Sequence, residues 1–439
     1  MTDDRCRVVH SSTQQSPFDF MYITAPTSLT EATRRRRRRR RRSMPSSNIL
    51  DGMAKNSRNE SKSSKSFRNG ILLVVILMAG GSLLLTSQSV SIMRVENFLL
   101  DTNNDSASRD ASSSHSFRYD SYVPASTERY IVENAVQLGY DDPKENAKTC
   151  TVWKDENASP IYNDLHAFSK ELEEYNHRLN NFTTVPDLRL RIDDPAQDVC
   201  QTVELHQDGL AALFPSGQLS FTSSGYVEPL LPPFRHPDFC FKKDEKTLMD
   251  LSYLVHDFGA MCRKLKRHSR IILIDMGASL RFHGGRSQPA IYLIDLFRKF
   301  GFPFDHIYAF EVTKTEPKVV FEKLPANLFA AYHWINVGVS SDPESSLNPL
   351  KMILDNYNEE DIIIVKLDID TSKIEVPLAH QLLADDRYAK LVDQFYFEHH
   401  VRIKELVSNW KLSMQGSFKE SLDLFSGLRE KGIPAHSWV

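Results

Sequence analysis

Four acidic residues each close a short apolar run and could meet at one edge of a β-sheet. They are Asp275, Glu311, Asp368 and Glu398. Burying a carboxylate costs several kcal/mol unless it is paired, so acids at strand ends indicate a shared polar crevice rather than a packed core. Carboxylates in such a crevice can bind the hydroxyl groups of a ligand, accept a proton or hold a cation.

The first of these acids opens a turn of small residues. Residues 271–274 are consecutive branched aliphatics, typical of a strand that is buried on both faces. An acid, a glycine and two small residues follow, a pattern typical of a backbone that turns tightly beside a ligand. An ordinary glycine turn is the alternative interpretation, but the later acids favour a ligand site. The predicted cofactor-binding loop comprises Asp275, Met276, Gly277, Ala278 and Ser279.

Glu311 ends the next predicted strand. In a parallel α/β sheet, an acid at this place takes the ribose hydroxyls of an adenosine, because a carboxylate accepts two hydrogen bonds at once. A solvated acid at a strand end is the alternative. The position of Glu311 one strand after the glycine turn favours the cofactor interpretation, so Glu311 is predicted to bind the cofactor.

Strand and helix patterns alternate from about residue 246 onward. They predict an α/β fold with a doubly wound, mostly parallel sheet whose ligands sit at the carboxyl ends of its strands. The predicted strands cover residues 271–275, 306–311, 332–337, 361–368, 394–398 and, at the sheet edge, 436–439. The predicted helices cover residues 248–265, 289–300, 317–323, 349–357, 376–383 and a segment between Trp410 and Leu428.

Three segments together resemble the class I S-adenosylmethionine-dependent methyltransferases, and the FkbM-type group in particular. They are Asp275-Met-Gly-Ala-Ser, Tyr308-Ala-Phe-Glu311 and Val365-Lys-Leu-Asp368-Ile-Asp370, within residues 268–400. The resemblance implies a Rossmann-like methyltransferase fold with S-adenosyl-L-methionine as the cofactor. It also implies that Asp275 and Gly277 border the methionine part, that Glu311 holds the ribose, and that Asp368 faces the reacting centre.

The chain departs from the FkbM-type pattern on the acceptor side. Asp370 stands where the group has glutamate, Thr371 replaces a glycine, and residues 281–287 lengthen the cofactor loop. These departures indicate a divergent member of the group, or one that has lost activity.

Methyl transfer to a hydroxyl needs positioning and a base. Asp368 and His399 are the predicted catalytic residues, and His400 and His283 are further candidate bases because the pKa of histidine lies near operating pH. The preferred interpretation includes no metal. As an alternative, Asp368, Glu398 and His399 could hold a divalent cation, since their ligand types suit one.

Two other functions compete with methyl transfer. A luminal glycosyltransferase could use Asp368-Ile369-Asp370 to bind a metal ion and thereby a nucleotide sugar. That interpretation leaves Gly277 and Glu311 without roles. A non-catalytic binding protein on the same scaffold is the third hypothesis.

The amino-terminal part predicts a membrane anchor. Residues 1–69 resemble a disordered, arginine-rich cytosolic tail, and residues 70–93 lack charge and match a transmembrane helix. A cleaved signal peptide is the alternative, but it would normally lie within the first 30 or so residues. The positive charges of Arg34 to Arg42 precede the span, which predicts a type II protein of the Golgi or endoplasmic reticulum whose catalytic domain is luminal. The same arginines are expected to touch anionic lipid.

Residues beyond the span are predicted to form a luminal stem (94–145), a disulfide-linked accessory region (146–245) and a methyltransferase-like domain (246–439). Helical spacing within the accessory region predicts a helix over residues 161–179. Three sequons begin at Asn104, Asn157 and Asn181 and agree weakly with a luminal glycoprotein. Two disulfides with three possible pairings are predicted among Cys150, Cys200, Cys240 and Cys262.

The expected acceptor follows from compartment and composition. Outside the arginine run the chain is acidic, so no affinity for nucleic acid is expected. The predicted function is O-methylation of a hydroxyl-bearing acceptor, such as a glycan or another secretory-pathway molecule.

Overall fold

A six-stranded parallel sheet forms the centre of the folded chain. The computed structural model describes residues 122–157, 159–194, 198–279 and 289–439. The strands are β1 (Ser220–Thr222), β2 (Gly225–Val227), β3 (Ile271–Met276), β4 (His306–Phe310), β5 (Tyr332–Ile335), β6 (Ile362–Leu367), β7 (Val392–Phe397) and β8 (Ala435–Ser437). The main sheet has the order β5-β4-β3-β6-β7-β8 with every neighbouring pair parallel, whereas β1 and β2 form a small antiparallel hairpin.

The central strands are apolar because both of their faces are covered. Every residue of β3, β6 and β7 is buried. A strand buried on both faces needs a nearly continuous apolar run rather than an alternating one. Asp275, Lys366 and Asp393 are charged exceptions, and the first two occupy paired positions on β3 and β6.

The described helices lie in the connections between strands and in the region before β3. They are α1 (Ser126–Glu133), α2 (Tyr162–Asn181), α3 (Asp238–Phe241), α4 (Phe258–Lys264), α5 (Pro289–Lys299), α6 (Pro317–Lys323), α7 (Pro349–Asn356), α8 (Ser372–Ala384), α9 (Asp386–Leu391), α10 (Val407–Trp410) and α11 (Phe418–Glu430).

Helices cover both faces of the sheet. Right-handed crossovers place α5 and α6 on one face and α7, α8, α9 and α11 on the other. On the second face α8 packs against both α9 and α11. On the first face α4 meets the end of α5, where the ring of Phe258 stacks on that of Phe300, the residue after the helix, with centroids 4.1 Å apart. The predicted α/β class with a parallel sheet flanked by helices is therefore confirmed.

The direction of strand addition reverses between β3 and β6. From β3 the chain builds outward to β4 and β5, and from β6 it builds the other way to β7 and β8. A reversal of this kind opens a crevice outside the carboxyl ends of the two strands, where ligands of open α/β sheets bind. All six predicted strands of the sheet are present, with ends that shift by one or two residues.

The helix predicted over residues 248–265 is wrong in its first half, because α4 begins only at Phe258. The preceding segment is irregular and mostly buried from Leu251 onward, and side chains from elsewhere satisfy part of its backbone. The N–H of Val255 donates to Glu228 Oε2 at 3.0 Å, and the N–H of His256 donates to the Tyr175 hydroxyl at 3.2 Å. Apolar spacing alone cannot distinguish such a buried loop from a helix.

The predicted stem, residues 94–145, is also too long. Helix α1 belongs to the folded body, since Glu128 and Ile131 are fully buried. The Glu128 carboxylate accepts a hydrogen bond from the Leu230 N–H at 3.0 Å and lies 3.2 Å from the Arg429 guanidinium. Sequence alone cannot distinguish a buried acid whose partners are distant in the chain from a solvated acid in a polar segment.

The accessory region packs into the same hydrophobic core as the sheet. Helix α2 confirms the helix predicted over residues 161–179. The disulfides join Cys150 to Cys240 and Cys200 to Cys262, which selects one of the three possible pairings. The second bridge ties the accessory region to α4.

The predicted cytosolic tail, the span at residues 70–93 and the arginine run lie outside the described residues. Among the helices of residues 122–439 that are described, none combines the length and the apolar character needed to cross a bilayer.

Candidate functional site

The carboxyl ends of β3, β4, β6 and β7 open on one cavity of about 850 Å³, hereafter the switch-point crevice. Its lining includes Gly277, Ala278, Ser279, Glu311, Asp368 and Glu398. The volume falls in the range of sites that bind cofactors and other small molecules. Three of the four strand-end acids therefore share a crevice, as expected, whereas Asp275 does not line it.

Asp275 lies beneath the crevice in an ion pair. Its side chain is 4% exposed, and Lys366 Nζ lies 3.0 Å from Asp275 Oδ1 and 3.3 Å from Asp368 Oδ2. Lys366 Nζ also donates to the Gly277 carbonyl at 3.3 Å. The predicted direct contact of Asp275 and Met276 with a cofactor is thus not supported, because both are buried and Asp275 instead fixes the lysine.

Lys366 was missed by sequence reasoning, although its signal was present. It is a lone cation within the otherwise apolar strand Ile362–Leu367. Burial opposes its charge, but the carboxylates of Asp275 and Asp368 raise the pKa of Lys366 above its ordinary value. For Asp368, burial raises the pKa to about 7, with Lys366 acting in the opposite direction and Glu398 adding to the rise.

The turn after β3 requires glycine. Gly277 has φ +88°, and a Cβ built on it would lie 1.6 Å from the carbonyl oxygen of Asp368. The N–H groups of Gly277 and Ala278 both donate to the Phe310 carbonyl, at 3.0 and 2.9 Å. The turn thus draws together the ends of β3, β4 and β6. It also leaves these two amides engaged rather than pointing at a ligand.

Glu311 follows β4 at the rim of the switch-point crevice. Its Oε1 accepts a hydrogen bond from the Thr313 N–H at 2.5 Å. Asn336 fixes the same turn by donating to the carbonyls of Glu311 and Thr313 at 2.6 and 2.9 Å. A carboxylate has acceptor capacity for several hydrogen bonds, so Glu311 can still accept from a ligand.

Glu398 is held from two sides. Its Oε1 accepts hydrogen bonds from Arg235 at 3.1 Å and from the Trp410 indole at 3.0 Å, while Oε2 lies 3.0 Å from His400 Nε2. Burial alone would raise the pKa of Glu398, but His400 and Arg235 lower it to about 2. Conversely, burial would lower the pKa of His400, but Glu398 raises it above its ordinary value.

His399 does not reach the switch-point crevice. Its Nδ1 lies 3.0 Å from Ser421 Oγ on α11, and its ring stacks on Phe397. Burial lowers the pKa of His399 to about 3. The predicted catalytic role of His399 is therefore not supported, and His400 is the histidine beside the crevice acids. Both histidines follow shortly after β7, and a tight turn in which the Val401 N–H donates to the His399 carbonyl separates their two environments.

The acids of the Asp368-Ile369-Asp370 segment diverge. Asp368 faces Lys366, whereas Asp370 Oδ1 lies 3.9 Å from His400 Nε2. They do not form the single ligand pair that the glycosyltransferase interpretation requires. Instead, single ligand atoms of Asp370, Glu398 and His400 lie within 4.8 Å of one another, which replaces the cation set predicted with His399. The remaining candidate base, His283, lies outside the described residues.

Comparison with known proteins adds no relative. No protein-family model, curated protein or solved structure matches the chain. The resemblance to the methyltransferases stays a prediction, so function has to be inferred from the crevice and its side chains.

Proposed function

We propose that this protein is an S-adenosylmethionine-dependent methyltransferase, built on a Rossmann-like methyltransferase fold, that acts on a hydroxyl of its acceptor. One observation carries the proposal: Glu311 lines the switch-point crevice at the end of the strand next to β3, beside the turn that Gly277 makes possible. In sheets that reverse direction in this way, an acid near this place holds the ribose of an adenosine ligand.

The crevice suits a cofactor without a diphosphate. Pyrophosphate-binding loops present free backbone N–H groups after the first strand. Here the N–H groups of Gly277 and Ala278 both donate to the Phe310 carbonyl, so they are not available to a diphosphate. Apolar side chains such as Val337 and Ile369 line the same crevice and offer surface to an adenine ring. These features support S-adenosylmethionine over a dinucleotide or a nucleotide sugar.

Bound S-adenosylmethionine would supply the methyl group: its S–CH₃ bond breaks, a C–O bond forms at the acceptor, S-adenosylhomocysteine leaves, and the hydroxyl loses a proton. The chain's part is to position the acceptor and to receive that proton. Asp368 lines the crevice with its carboxylate held by Lys366, and it is the residue proposed to face the reacting centre. Gly277 and Ser279 are proposed to border the methionine part.

The proposed location is the lumen of the Golgi or endoplasmic reticulum, with residues 70–93 as a type II membrane anchor and the arginine run near anionic lipid. Two disulfides in the described residues support an oxidising compartment. Asn181, the first residue of a sequon, ends α2 and is exposed. The proposed acceptor is accordingly a glycan or another hydroxyl-bearing molecule of the secretory pathway.

Metal-dependent glycosyl transfer is the second candidate. The grouping of Asp370, Glu398 and His400 favours it, because glycosyltransferases of this kind hold a nucleotide sugar through a cation. Two observations argue against glycosyl transfer. The Asp368 carboxylate is paired with Lys366, and the N–H groups of Gly277 and Ala278 are already hydrogen-bonded and cannot bind a diphosphate.

Calorimetry on the full chain in detergent micelles tests the proposal. S-adenosylmethionine should release or absorb heat on binding, whereas uridine diphosphate titrated into protein already saturated with Mn²⁺ should not. Glu311→Gln should weaken S-adenosylmethionine by about tenfold to a hundredfold, because hydrogen bonds to a charged group contribute about 1.5–3 kcal/mol. Glu316→Gln, an exposed acid outside the crevice, is the matched control and should leave affinity unchanged.

Two results would overturn the methyltransferase proposal. One is no heat at ~1 mM S-adenosylmethionine, where even a site of about −4 kcal/mol would be half filled. The other is saturable binding of the nucleotide together with Mn²⁺, which would favour glycosyl transfer.

A further inference from the structure

His400 is a buried imidazole with one ring nitrogen held and the other not. The residue is 3% exposed, and Nδ1 lies 2.8 Å from Ser413 Oγ. That hydroxyl donates its only proton to the Trp410 carbonyl at 2.7 Å, so it accepts from His400 Nδ1–H. Within the described chain Nε2 has no hydrogen-bond partner. In a neutral ring, Nε2 would therefore carry the lone pair, the arrangement of a histidine metal ligand.

The Nε2 atom points at two carboxylates. Glu398 Oε2 lies 3.0 Å away and Asp370 Oδ1 lies 3.9 Å away, although the contact with Glu398 lacks hydrogen-bond geometry. Two ligand atoms bound ~2.1 Å from one octahedral ion are about 3.0 Å apart when adjacent and about 4.2 Å apart when opposite. The two separations from Nε2 fall within that range, and the three ligand atoms all lie within 4.8 Å of one another.

Each carboxylate has an oxygen to offer. The two donors to Glu398, Arg235 and Trp410, both use Oε1, and Oε2 is the oxygen turned towards His400. The Asp370 side chain is 83% exposed, and its backbone has φ +55°, which aspartate tolerates better than most residues. Solvent or a ligand can therefore reach the cluster from the side of Asp370.

The surroundings favour a positive charge. Glu375 lies near enough for its charge to act on His400, and its Oε2 is buried without a hydrogen-bond partner in the described residues. Among the described residues, Arg235 pairs with Glu398 and Lys366 pairs with Asp368, while the carboxylates of Asp370, Glu375 and Glu398 all act on His400.

We infer that Asp370, Glu398 and His400 bind a divalent cation of the Mn²⁺ type. A mixed set of one imidazole and two carboxylates suits Mn²⁺ better than Ca²⁺ or Mg²⁺, which prefer oxygen alone. Three protein ligands on an accessible edge leave coordination positions open, as in catalytic rather than structural metal sites.

The role of the cation rests on the proposed function. Asp370 and Glu398 line the switch-point crevice together with Asp368. A cation bound to them would contact the acceptor oxygen and favour loss of the hydroxyl proton. Mn²⁺ binding itself requires neither cofactor nor acceptor, so the site can be tested separately from the activity.

Electron paramagnetic resonance of free Mn²⁺ tests the site on the full chain in detergent micelles. One Mn²⁺ per chain should bind, and Asp370→Asn should weaken it at least tenfold. Asparagine also tolerates the left-handed backbone, and the position is exposed, so the fold should be retained. Asp423→Asn, an exposed acid on α11, is the matched control and should bind Mn²⁺ like the wild type.

His400→Gln should abolish Mn²⁺ binding, with near-ultraviolet circular dichroism confirming that this variant folds. The cation site is overturned if wild-type protein binds no Mn²⁺ at ~1 mM, or if Asp370→Asn binds it unchanged. Equal competition by Mg²⁺ would indicate oxygen ligands alone and would overturn the role of His400. If Mn²⁺ binds but S-adenosylmethionine does not, the cation site stands and the methyltransferase proposal fails.

Discussion

Two clusters of charged side chains meet at the carboxyl edge of the sheet, and they differ in how complete they are. Beneath the crevice, Lys366 binds Asp275 and Asp368 and is almost fully buried. At the end of β7, Glu398 and His400 lie beside an exposed Asp370, and within the described residues His400 Nε2 and Glu375 Oε2 have no hydrogen-bond partner. In the inner cluster the chain itself supplies a partner for each charged group, whereas the outer cluster leaves ligand atoms available to a bound ion.

The contrast shows that an acid at the end of a strand can either stabilise the fold or bind a ligand. An ion pair closed by internal partners orders the backbone around it, and breaking it should cost stability. A cluster with an exposed member should tolerate substitution and lose only binding. The following substitutions test this difference, from the largest expected effect to the smallest.

Lys366→Met should destabilise the protein by about 3–5 kcal/mol, because it leaves the Asp275 carboxylate buried without its cation. Urea unfolding monitored by circular dichroism would measure the change. The double variant Lys366→Met, Asp275→Asn should recover much of the loss, since the uncompensated charge is removed. A cost below about 1 kcal/mol for the single variant would contradict a closed inner cluster.

Gly277→Ala should cost about 3 kcal/mol, because the added Cβ meets the Asp368 carbonyl at 1.6 Å and φ is positive. Gly139→Ala is the matched control: its φ is +71°, but a Cβ there meets nothing within 4 Å. That control should cost only about 1–2 kcal/mol for the left-handed backbone. Equal losses for the two variants in urea unfolding would show that the contact with β6 contributes nothing.

Asp361→Asn should cost about 2 kcal/mol at neutral pH, because Arg270 Nη2 pairs with the Asp361 carboxylate at 2.6 Å. Burial would raise the pKa of Asp361, but hydrogen bonds from Arg270 and the Asn358 N–H lower it. This stabilisation is therefore present above the unfolded pKa of about 3.9 and is lost as pH falls through the lower folded value. The difference between wild type and variant should shrink in unfolding experiments below about pH 4, and a constant difference would refute the pairing.

Asp370→Asn should change stability by less than about 0.5 kcal/mol without metal, because the side chain is 83% exposed. Thermal unfolding with and without Mn²⁺ would separate the two clusters. Added Mn²⁺ should raise the Tm of the wild type and leave that of the variant almost unchanged. A large loss of stability in metal-free Asp370→Asn would mean that the outer cluster also serves the fold.

Much of this arrangement could be predicted because it is encoded locally. Apolar runs such as Ile271–Ile274 produce buried strands wherever they occur, and the alternation of strands with helices specifies a parallel sheet. The carboxyl ends of parallel strands share an edge, so Glu311, Asp368 and Glu398 were expected to meet, and they do. Helix α6 was predicted with its observed ends because Pro317 opens it.

Tertiary structure alone decided the partners and directions of the side chains. The sequence predicts Asp275 as a ligand to a cofactor, whereas in the fold its carboxylate accepts from Lys366, 91 residues away. The sequence could not tell His399 from His400, because a one-residue step past β7 turns one ring towards α11 and the other towards the crevice. The disulfide pairing, the buried α1 and the irregular segment before α4 likewise depend on contacts between residues far apart in the chain. Local sequence therefore determined which elements form, and long-range packing determined which acids belong to the fold and which remain for a ligand.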